Sequence, residues 1–181
     1  MYQKLSDFKL SKSQRGRSGL QVQIWWLVQS ILFGCSPQFM YGWRRFLLRS
    51  FGAEIGKGVI IRPSARITYP WNLIVGDYAW VGDDVVLYNW SKINVGPNAV
   101  VSQRSYLCTA THDYLDPTFP LTSQAIDVEE EAWIATDCFI APGVTIGKGA
   151  VIGARSSVFS NMPEGMICFG NPAKPIKKRL D

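Results

Sequence analysis

Residues 128–158, VEEEAWIATDCFIAPGVTIGKGAVIGARSSV, repeat a pattern with a period of six. An aliphatic side chain recurs at every sixth position of this stretch, and a small or short residue usually stands four positions later. The aliphatic series is Val128, Ile134, Ile140, Ile146, Ile152 and Val158. A period of six fits neither the 3.6-residue turn of an α-helix nor the two-residue alternation of one strand. It predicts short strands separated by corners, with three strands in each coil of a solenoid.

The same period extends towards the amino terminus. The earlier aliphatics are Ile55, Ile61, Ile67, Val75, Val81, Leu87, Val95, Val101 and Leu107. Glycine directly follows six of the aliphatics, at Gly56, Gly76, Gly82, Gly96, Gly147 and Gly153. We expect these positions to need either the backbone freedom of glycine or the close approach of another segment. Because each coil hides its apolar interior only by stacking on its neighbours, residues 53–181 are predicted to form one all-β solenoid, a β-helix.

The repeat is interrupted at three places. Two extra residues separate Ile67 from Val75, and two more separate Leu87 from Val95. The largest break is a loop over about residues 112–127, which contains several aromatic, acidic and proline residues. Loops that project from a regular scaffold commonly carry the functional residues. We therefore expect the loop to carry the chemistry, and we expect a non-repetitive tail over about residues 163–181.

Residues 1–52 do not follow the six-residue period. The apolar run Leu20–Phe33 and the helical spacing of Phe39, Trp43 and Phe46 predict two helices with a break near residues 34–37. The run is shorter than the roughly 20 residues that a membrane span requires. Two roles remain open for this segment: a cap over the exposed end of the β-helix, or a peripheral contact with a membrane surface.

Composition limits the class of protein. With 181 residues, 47% of them apolar and 18% charged, the chain is long enough for one folded domain. The net charge of +5 comes from basic residues near both ends, namely Lys9, Lys12, Arg15, Arg17, Arg44, Arg45 and Arg49, then Lys174, Lys177, Lys178 and Arg179. No motif supports nucleic-acid binding. The four cysteines lack CxxC spacing and the first 19 residues are polar, so we expect reduced thiols in a cytoplasmic protein.

His112 is the only histidine of the chain, and it stands where the repeat ends and the loop begins. Imidazole is the only side chain whose ordinary pKa lies near neutrality, which suits it to accept a proton from a hydroxyl. The alternative is a packed or surface histidine without a chemical role. Its position at the base of the loop favours a general base.

Several motifs together resemble one enzyme family. They are the six-residue repeats, Thr111-His112-Asp113, Pro70-Trp71-Asn72-Leu73, Leu87-Tyr88-Asn89 and Gly170-Asn171-Pro172-Ala173-Lys174-Pro175-Ile176. They resemble the left-handed β-helix O-acetyltransferases, which include the galactoside, maltose and nodulation-factor enzymes. Within that family, the likeness is greatest to the colanic-acid and exopolysaccharide biosynthesis acetyltransferases. The resemblance covers nearly the whole chain.

This resemblance implies an activity and an assembly. The family moves an acetyl group from acetyl-CoA to a sugar hydroxyl, without an acyl-enzyme and without a metal. His112 would deprotonate the hydroxyl, and backbone N–H groups of a neighbouring coil would stabilise the oxyanion. The coenzyme of this family lies between subunits, so the resemblance implies a homotrimer.

The resemblance also assigns further site residues. Asn89 and Tyr88 fall near the acceptor, although Asn89 could equally be a corner residue with left-handed backbone geometry. Thr136 and Ala154 would line the groove for the pantetheine arm of acetyl-CoA. Lys174 and Lys177 would meet its phosphates.

The chain also departs from the family pattern. Phe159-Ser160 stand where relatives often have a Thr-Lys pair that contacts the coenzyme. No acidic partner for His112 is evident, and the adjacent Asp113 is the candidate that remains.

Other functions are compatible with the repeat. Acyl transfer to the amine of an amino sugar or nucleotide sugar would keep the same base and change only the acceptor pocket. A β-helix that serves purely as a scaffold would explain the repeat but not the loop with its histidine. The zinc-dependent carbonic anhydrases share the solenoid, but their three histidine ligands are incompatible with a chain that has one.

Overall fold

The computed structural model describes residues 2–9 and 15–180, so Lys12 of the amino-terminal basic cluster lies outside the described residues. A 3-10 turn covers Leu5–Asp7. Helix α1 spans Gly19–Val28 and continues as a π-helical turn over Gln29–Phe33, and α2 spans Tyr41–Ser50. The two expected helices are therefore present, with the break between them at residues 34–40.

Short strands make up the rest of the fold. They are β1 (Glu54–Ile55), β2 (Ile60–Ile61), β3 (Arg66–Ile67), β4 (Leu73–Val75), β5 (Trp80–Val81), β6 (Val86–Tyr88), β7 (Ile93–Val95), β8 (Val100–Val101), β9 (Tyr106–Cys108), β10 (Ala110–His112), β11 (Leu121–Ser123), β12 (Ile126–Val128), β13 (Trp133–Ile134), β14 (Phe139–Ile140), β15 (Thr145–Ile146), β16 (Val151–Ile152), β17 (Ser157–Val158), β18 (Met166–Gly170) and β19 (Ala173–Lys178). A 3-10 turn over Pro70–Asn72 precedes β4.

The strands stack into the three faces of a prism. Face 1 has the order β1-β4-β7-β12-β15, face 2 has β2-β5-β8-β13-β16-β18, and face 3 has β3-β6-β9-β14-β17. Pairing along each face is parallel, and β19 closes face 2 by pairing antiparallel with β18. The chain visits faces 1, 2 and 3 in turn, which makes five coils, and β18 begins a sixth. The predicted β-helix is confirmed.

The interior of the prism contains the aliphatic series that defines the repeat. Every one of these side chains is buried, and none is more than 7% exposed. Small residues such as Ala99, Ala132 and Ala150 are fully buried at the corners beside them. Since burying one Val, Leu or Ile contributes about 1.5–3 kcal/mol, stacked coils supply the main stabilisation of the fold.

The glycines that follow the aliphatics are explained by close approach of the next coil. A Cβ added to Gly96 would lie 2.5 Å from the backbone nitrogen of Glu130, and one added to Gly76 would lie 2.6 Å from that of Pro97. Neither glycine has a positive φ. The left-handed corner positions are two or more residues further on, and they hold Asn98 (φ 56°) and Asp137 (φ 58°) as well as glycines such as Gly149 (φ 64°). Of the two reasons expected for these glycines, the structure therefore supports close approach.

The amino-terminal helices cover the exposed end of the first coil. The N–H and C=O of Ile67 point away from the second coil, and they bond to the side chains of Gln29 and Trp25 at 2.7 and 2.8 Å. The carbonyl of Ile61 likewise accepts from Nε of Arg44, at 2.7 Å, and that of Val59 accepts from Arg45. Side chains of the helices thus replace the missing coil below β1–β3. No helix in the described part of the chain is long and apolar enough to cross a membrane.

All three interruptions of the repeat fall at one corner of the prism, between face 3 and face 1. The first contains the 3-10 turn over Pro70–Asn72, the second covers residues 89–92, and the third contains β10, the loop and β11. Insertions are therefore concentrated on one edge of an otherwise regular solenoid, and that edge carries His112.

Candidate active site

His112 ends the first strand of a hairpin that projects from this corner. Strand β10 pairs antiparallel with β11, with His112 opposite Leu121 and Ala110 opposite Ser123. Backbone bonds close the loop, from Asp113 N–H to the Pro120 carbonyl at 3.0 Å and from Phe119 N–H to the Asp116 carbonyl at 2.8 Å. The hairpin therefore holds the imidazole on a structured support.

The imidazole of His112 is oriented by Phe119. Its Nδ1 lies 2.8 Å from the Phe119 carbonyl oxygen, and the two rings stack with centroids 4.2 Å apart and an interplanar angle of 6°. Because a carbonyl only accepts hydrogen bonds, Nδ1 carries the proton and donates it. In the neutral ring, Nε2 then has the free lone pair, which is the form that a general base requires.

The segment before the helices lies against the same loop. The ring of Phe8 lies 5.8 Å from the imidazole, and the N–H of Lys4 donates to the Pro117 carbonyl at 2.8 Å. The imidazole therefore contacts aromatic rings from two distant parts of the chain. Sequence reasoning missed Phe8, since nothing in its neighbourhood marks it, and it missed the role of the Phe119 carbonyl, since a backbone group leaves no trace in the sequence.

The carboxylate of Asp113 has a different partner. Its Oδ1 accepts from the N–H of Leu115 at 2.9 Å, and the side chain is exposed. This geometry is a local turn, in which an aspartate bonds to the backbone two residues ahead. The structure therefore places Asp113 in the support of the loop, while the Phe119 carbonyl contacts the imidazole.

Asn89 lies one coil before the hairpin, at the same corner, and is completely buried. Its Oδ1 accepts from the Tyr69 N–H at 2.9 Å and its Nδ2 donates to the Tyr69 carbonyl at 2.6 Å. Its φ is not positive, so left-handed geometry does not account for the asparagine. The amide instead pairs with the backbone of the preceding coil. Tyr88 is half-buried beside it, with its ring 6.2 Å from that of Trp90.

The four residues that the resemblance assigns to acetyl-CoA lie on another side of the prism. Thr136 and Ala154 occupy consecutive coils at the corner between face 2 and face 3, and the Arg155 N–H donates to the Thr136 carbonyl at 2.9 Å. Lys174 and Lys177 are exposed on β19, at the end of face 2. The structure thus groups these four residues around face 2, and separates them from His112 by the width of face 3.

Face 2 also has a groove that sequence reasoning did not identify. Its volume is about 510 Å³, and Trp80, Val100 and Trp133 from three successive coils lie along it. At its rim, Nε of Arg62 donates to the Asp83 carboxylate at 2.8 Å, which lowers the pKa of that carboxyl. Trp80 lies 20 residues before Val100, whereas Trp133 lies 33 residues after it, because the hairpin is inserted between those two coils. Their alignment is visible only in three dimensions.

Face 3 has an aromatic strip on its outer surface. The strip consists of Tyr88, Tyr106, Phe139 and Phe159, whose successive ring centroids lie 6.1, 6.1 and 5.8 Å apart. Burial raises the pKa of Tyr106 to about 12, whereas Phe159 is 58% exposed. Phe159 thus ends an apolar strip at the last complete coil.

Comparisons with known proteins agree with this architecture. The chain is 54% identical over 179 residues to the "Putative colanic acid biosynthesis acetyltransferase WcaF" of Escherichia coli strain K12, which covers 99% of this chain and 98% of that protein. A maltose O-acetyltransferase from Clostridium difficile 630 superposes with a TM-score of 0.81 and 26% identity, over 91% and 90% of the two chains. A galactoside acetyltransferase in complex with coenzyme A gives 0.84 and 21%, over 96% and 86%, which shows a shared fold.

No protein-family model matches the chain. The close relative nevertheless decides the class, because its identity extends over practically the full length of both proteins. The chain is therefore an acetyltransferase of the left-handed β-helix type, and it belongs to the family of the colanic acid biosynthesis acetyltransferases.

Proposed function

We propose that the protein transfers an acetyl group from acetyl-CoA to a hydroxyl of a sugar, with His112 as the general base. The observation that carries the proposal is the hydrogen bond between Nδ1 of His112 and the Phe119 carbonyl. It fixes the neutral tautomer in which Nε2 accepts a proton. It also fixes the orientation of the ring, so that the base is already positioned when the acceptor hydroxyl binds.

The proposed reaction is one direct displacement. Nε2 of His112 takes the hydroxyl proton as the sugar oxygen bonds to the thioester carbonyl carbon. The oxyanion so formed is stabilised by backbone N–H groups of a neighbouring coil. The carbon–sulfur bond then breaks, and the imidazolium returns its proton to the sulfur of coenzyme A. No acyl-enzyme forms, which agrees with the absence of a nucleophile from the contacts of His112 within the described residues.

The donor is proposed to lie along face 2. Its groove is apolar between Trp80 and Trp133, which suits the pantetheine arm, and Thr136 and Ala154 stand at the adjoining corner. Lys174 and Lys177 supply exposed cations for the phosphates at one end. The galactoside acetyltransferase with the same fold was determined with coenzyme A bound. No metal is needed for this chemistry.

The separation of these groups supports a homotrimer. His112 projects from the border of face 3 with face 1, whereas Thr136 and Ala154 lie on the border of face 3 with face 2. A single copy therefore keeps base and donor apart. In a cyclic trimer whose three copies turn face 3 towards the axis, each donor corner meets the histidine corner of its neighbour.

The aromatic strip on face 3 supports the same arrangement. Side chains on the outer surface of a solenoid are ordinarily polar, and a contiguous apolar strip marks a contact surface. Tyr106, Phe139 and Phe159 would pack against their counterparts around the trimer axis. On this view, Phe159 serves the subunit contact and does not contact coenzyme A.

The acceptor is proposed to be a sugar unit in polysaccharide biosynthesis, in the cytoplasm. The name of the close relative refers to colanic acid, and the structural relatives are named for maltose and galactoside. Tyr88 and Asn89 occupy the corner beneath the hairpin. Tyr88 would contact the acceptor, and Asn89 would act on the acceptor indirectly, by holding the corner in shape.

An amine acceptor is the second candidate. N-acyltransferases that were solved with an amino sugar nucleotide share the fold, at a TM-score of 0.64 and 23% identity. An amine needs the same base, so His112 does not distinguish the two acceptors. A purely structural β-helix is disfavoured by membership of an acetyltransferase family.

The acceptor class is tested by following thiol release from acetyl-CoA with matched pairs of sugars. Each pair would carry a hydroxyl or an amine at the same ring position, and the His112→Ala variant would give the background rate. We expect release above background with hydroxyl acceptors, and mass spectrometry should find an O-acetyl ester. Release only with amines would establish the N-acyl alternative. Release with none of the acceptors, together with no binding of acetyl-CoA, would contradict the proposed function.

A further inference from the structure

Helix α1 is apolar on two opposite faces. Val22 and Trp25 are completely buried, and Nε1 of Trp25 donates to the Ile67 carbonyl of the first coil. On the other side of the helix, Leu20 (72% exposed), Leu27 (61%) and Ile31 (55%) form a stripe with Ile24 at the spacing of successive helical turns. A helix that is apolar all round is normally covered on both sides. The outer stripe therefore lacks a partner in a single copy.

The stripe points along the axis of the prism, away from the coils. Strand hydrogen bonds in a β-helix run parallel to its axis, and the groups of Ile67 that point away from the second coil bond to Trp25 and Gln29. Helix α1 therefore lies beneath the first coil. Its stripe, on the opposite side, forms the outer surface of this end of the molecule, which we call the base.

The second helix extends the base. The indole Nε1 of Trp43 donates to the Leu32 carbonyl at 2.9 Å, which fixes α2 beside the end of the π-helical turn. Phe46 stacks on Trp43 at 5.8 Å and is exposed, as are Phe39 and Leu32. Apolar and aromatic side chains from both helices thus share the same end of the prism.

The charge of the segment indicates what covers the base. Residues 8–53 contain no aspartate and no glutamate, while the rest of the chain contains 14 acidic residues. Arg17 is exposed just before α1 and forms no hydrogen bond or ion pair with any described residue. Arg44, Arg45 and Arg49 bond to carbonyls of the first coil instead. The segment that forms the base thus contains cations and no carboxylate that would repel an anionic surface, and Glu54 of the first coil is the first acidic residue after it.

We infer that the base docks on a lipid bilayer with anionic headgroups. Leu20, Ile24, Leu27 and Ile31 enter the interfacial region, Trp43 and Phe46 lie at the headgroup level, and Arg17 meets lipid phosphates. This contact is peripheral, since the apolar stripe is one side of a helix that lies parallel to the base. It brings the acetyltransferase to a membrane surface.

The inference rests on the proposed trimer in one respect. Copies around an axis parallel to the prism pack side by side through face 3, so their bases stay uncovered and all point the same way. Three stripes then contact one bilayer together. Because the second and third contacts are intramolecular, weak contacts of single stripes add up to firm binding.

Co-sedimentation of the full chain with vesicles tests the inference. Vesicles of phosphatidylcholine with 30% phosphatidylglycerol (an amount on the order of that in anionic membranes) are compared with pure phosphatidylcholine. Leu27→Gln/Ile31→Gln removes apolar surface without adding charge, and Leu180→Gln is the matched control, because Leu180 is 80% exposed on the carboxyl-terminal tail. Arg17→Gln tests the electrostatic part.

We expect the wild-type protein to bind the anionic vesicles. The double variant should bind them at least about tenfold more weakly. Leu180→Gln should bind like the wild type. Arg17→Gln should bind anionic vesicles at least about fivefold more weakly than the wild type, and neutral vesicles equally well. Absence of vesicle binding by the wild type, or equal binding by the double variant, would overturn the inference.

Sedimentation velocity without vesicles tests whether the base docks on a second copy of the protein instead. If the wild type sediments at twice the mass of the proposed trimer, and the double variant at half that mass, then the base docks on a second copy. That result would overturn lipid docking. Acetyl-CoA turnover with a water-soluble acceptor is measured in parallel. Absence of turnover in the wild type would reject the proposed function. Absence of vesicle binding together with normal turnover would reject only the docking of the base on lipid.

Discussion

The Phe119 carbonyl oxygen lies 2.8 Å from Nδ1 of His112, and the Phe119 ring is stacked on the imidazole. One residue therefore sets both the tautomer and the plane of the proposed base. In many enzymes a carboxylate orients the histidine, and its charge stabilises the imidazolium. Here a neutral carbonyl has that place, which directs the proton without adding a negative charge.

Phe119→Ala should lower kcat about tenfold, because the ring that holds the imidazole plane is lost while the backbone carbonyl remains. The KM for acetyl-CoA should stay within about twofold of its normal value. Steady-state kinetics at several pH values check the prediction, with Tyr114→Ala as control, since Tyr114 is exposed on the same loop. A normal kcat in Phe119→Ala would show that the stack does not position the base.

Arg44→Met should destabilise the protein by about 3 kcal/mol, because Arg44 is completely buried and bonds to the carbonyls of Ile61, Pro37 and Gln38. The substitution leaves the carbonyls of Ile61 and Gln38 without a donor, while that of Pro37 keeps the N–H of Met40. Arg45→Met is the matched control, since Arg45 makes a single bond, to Val59, and should lose about 1 kcal/mol or less. Denaturant unfolding at equal protein concentration measures both. Equal losses would contradict the account of the cap.

Asn89→Ala should lower the free energy of unfolding by about 2 kcal/mol, because the buried Tyr69 N–H then loses its partner, while the Tyr69 carbonyl keeps the N–H of Asn72. The KM for the acceptor, measured below the unfolding transition, should change little. If the variant were fully stable and had a greatly raised acceptor KM, Asn89 would contact the substrate directly.

Burial raises the pKa of the Cys108, Cys138 and Cys168 thiols, whereas Cys35 is exposed. Ellman's reagent at pH 8 should therefore modify one thiol rapidly in the native protein, and Cys35→Ser should abolish that fast phase. All the thiols should react once denaturant is added. A second fast thiol in the native protein would contradict the packing of the core.

The same shifts predict how stability depends on pH. Folding raises the pKa of a buried thiol such as that of Cys138, so its contribution to the free energy of unfolding is complete below the ordinary pKa of 9.0. The contribution is lost as the pH rises through the pKa of the thiol in the folded protein. Unfolding midpoints should therefore decline as the pH rises above 9.0. Cys138→Ala should reduce that decline, and an unchanged pH dependence in this variant would contradict the assignment.

The β-helix could be predicted from the sequence because its rule is local and repeated. Val128 to Val158 restate it at every sixth residue, and each coil needs only its neighbours. His112 could be proposed as the base from the sequence, because it is the one histidine and it stands at the largest interruption. Both conclusions depend on residue types at particular positions.

What could not be predicted depends on contacts between distant segments. The Phe119 carbonyl is a backbone group, and Phe8 reaches the imidazole only after the amino-terminal segment has folded onto the loop. Asn89 is an ordinary corner residue in sequence, and its burial arises from the preceding coil. The outer stripe of α1 resembles any apolar helix until the structure shows that only one side is covered.

The central claim is that His112 is the general base of acetyl transfer. Its most direct test is the single-turnover rate of the His112→Ala variant, with acetyl-CoA affinity and sedimentation measured on the same sample. We predict a rate at least about 1,000-fold below that of the wild type, with affinity and mass unchanged, since a base contributes to the chemical step alone. A rate within tenfold of the wild type would show that another group removes the proton, and would contradict the account.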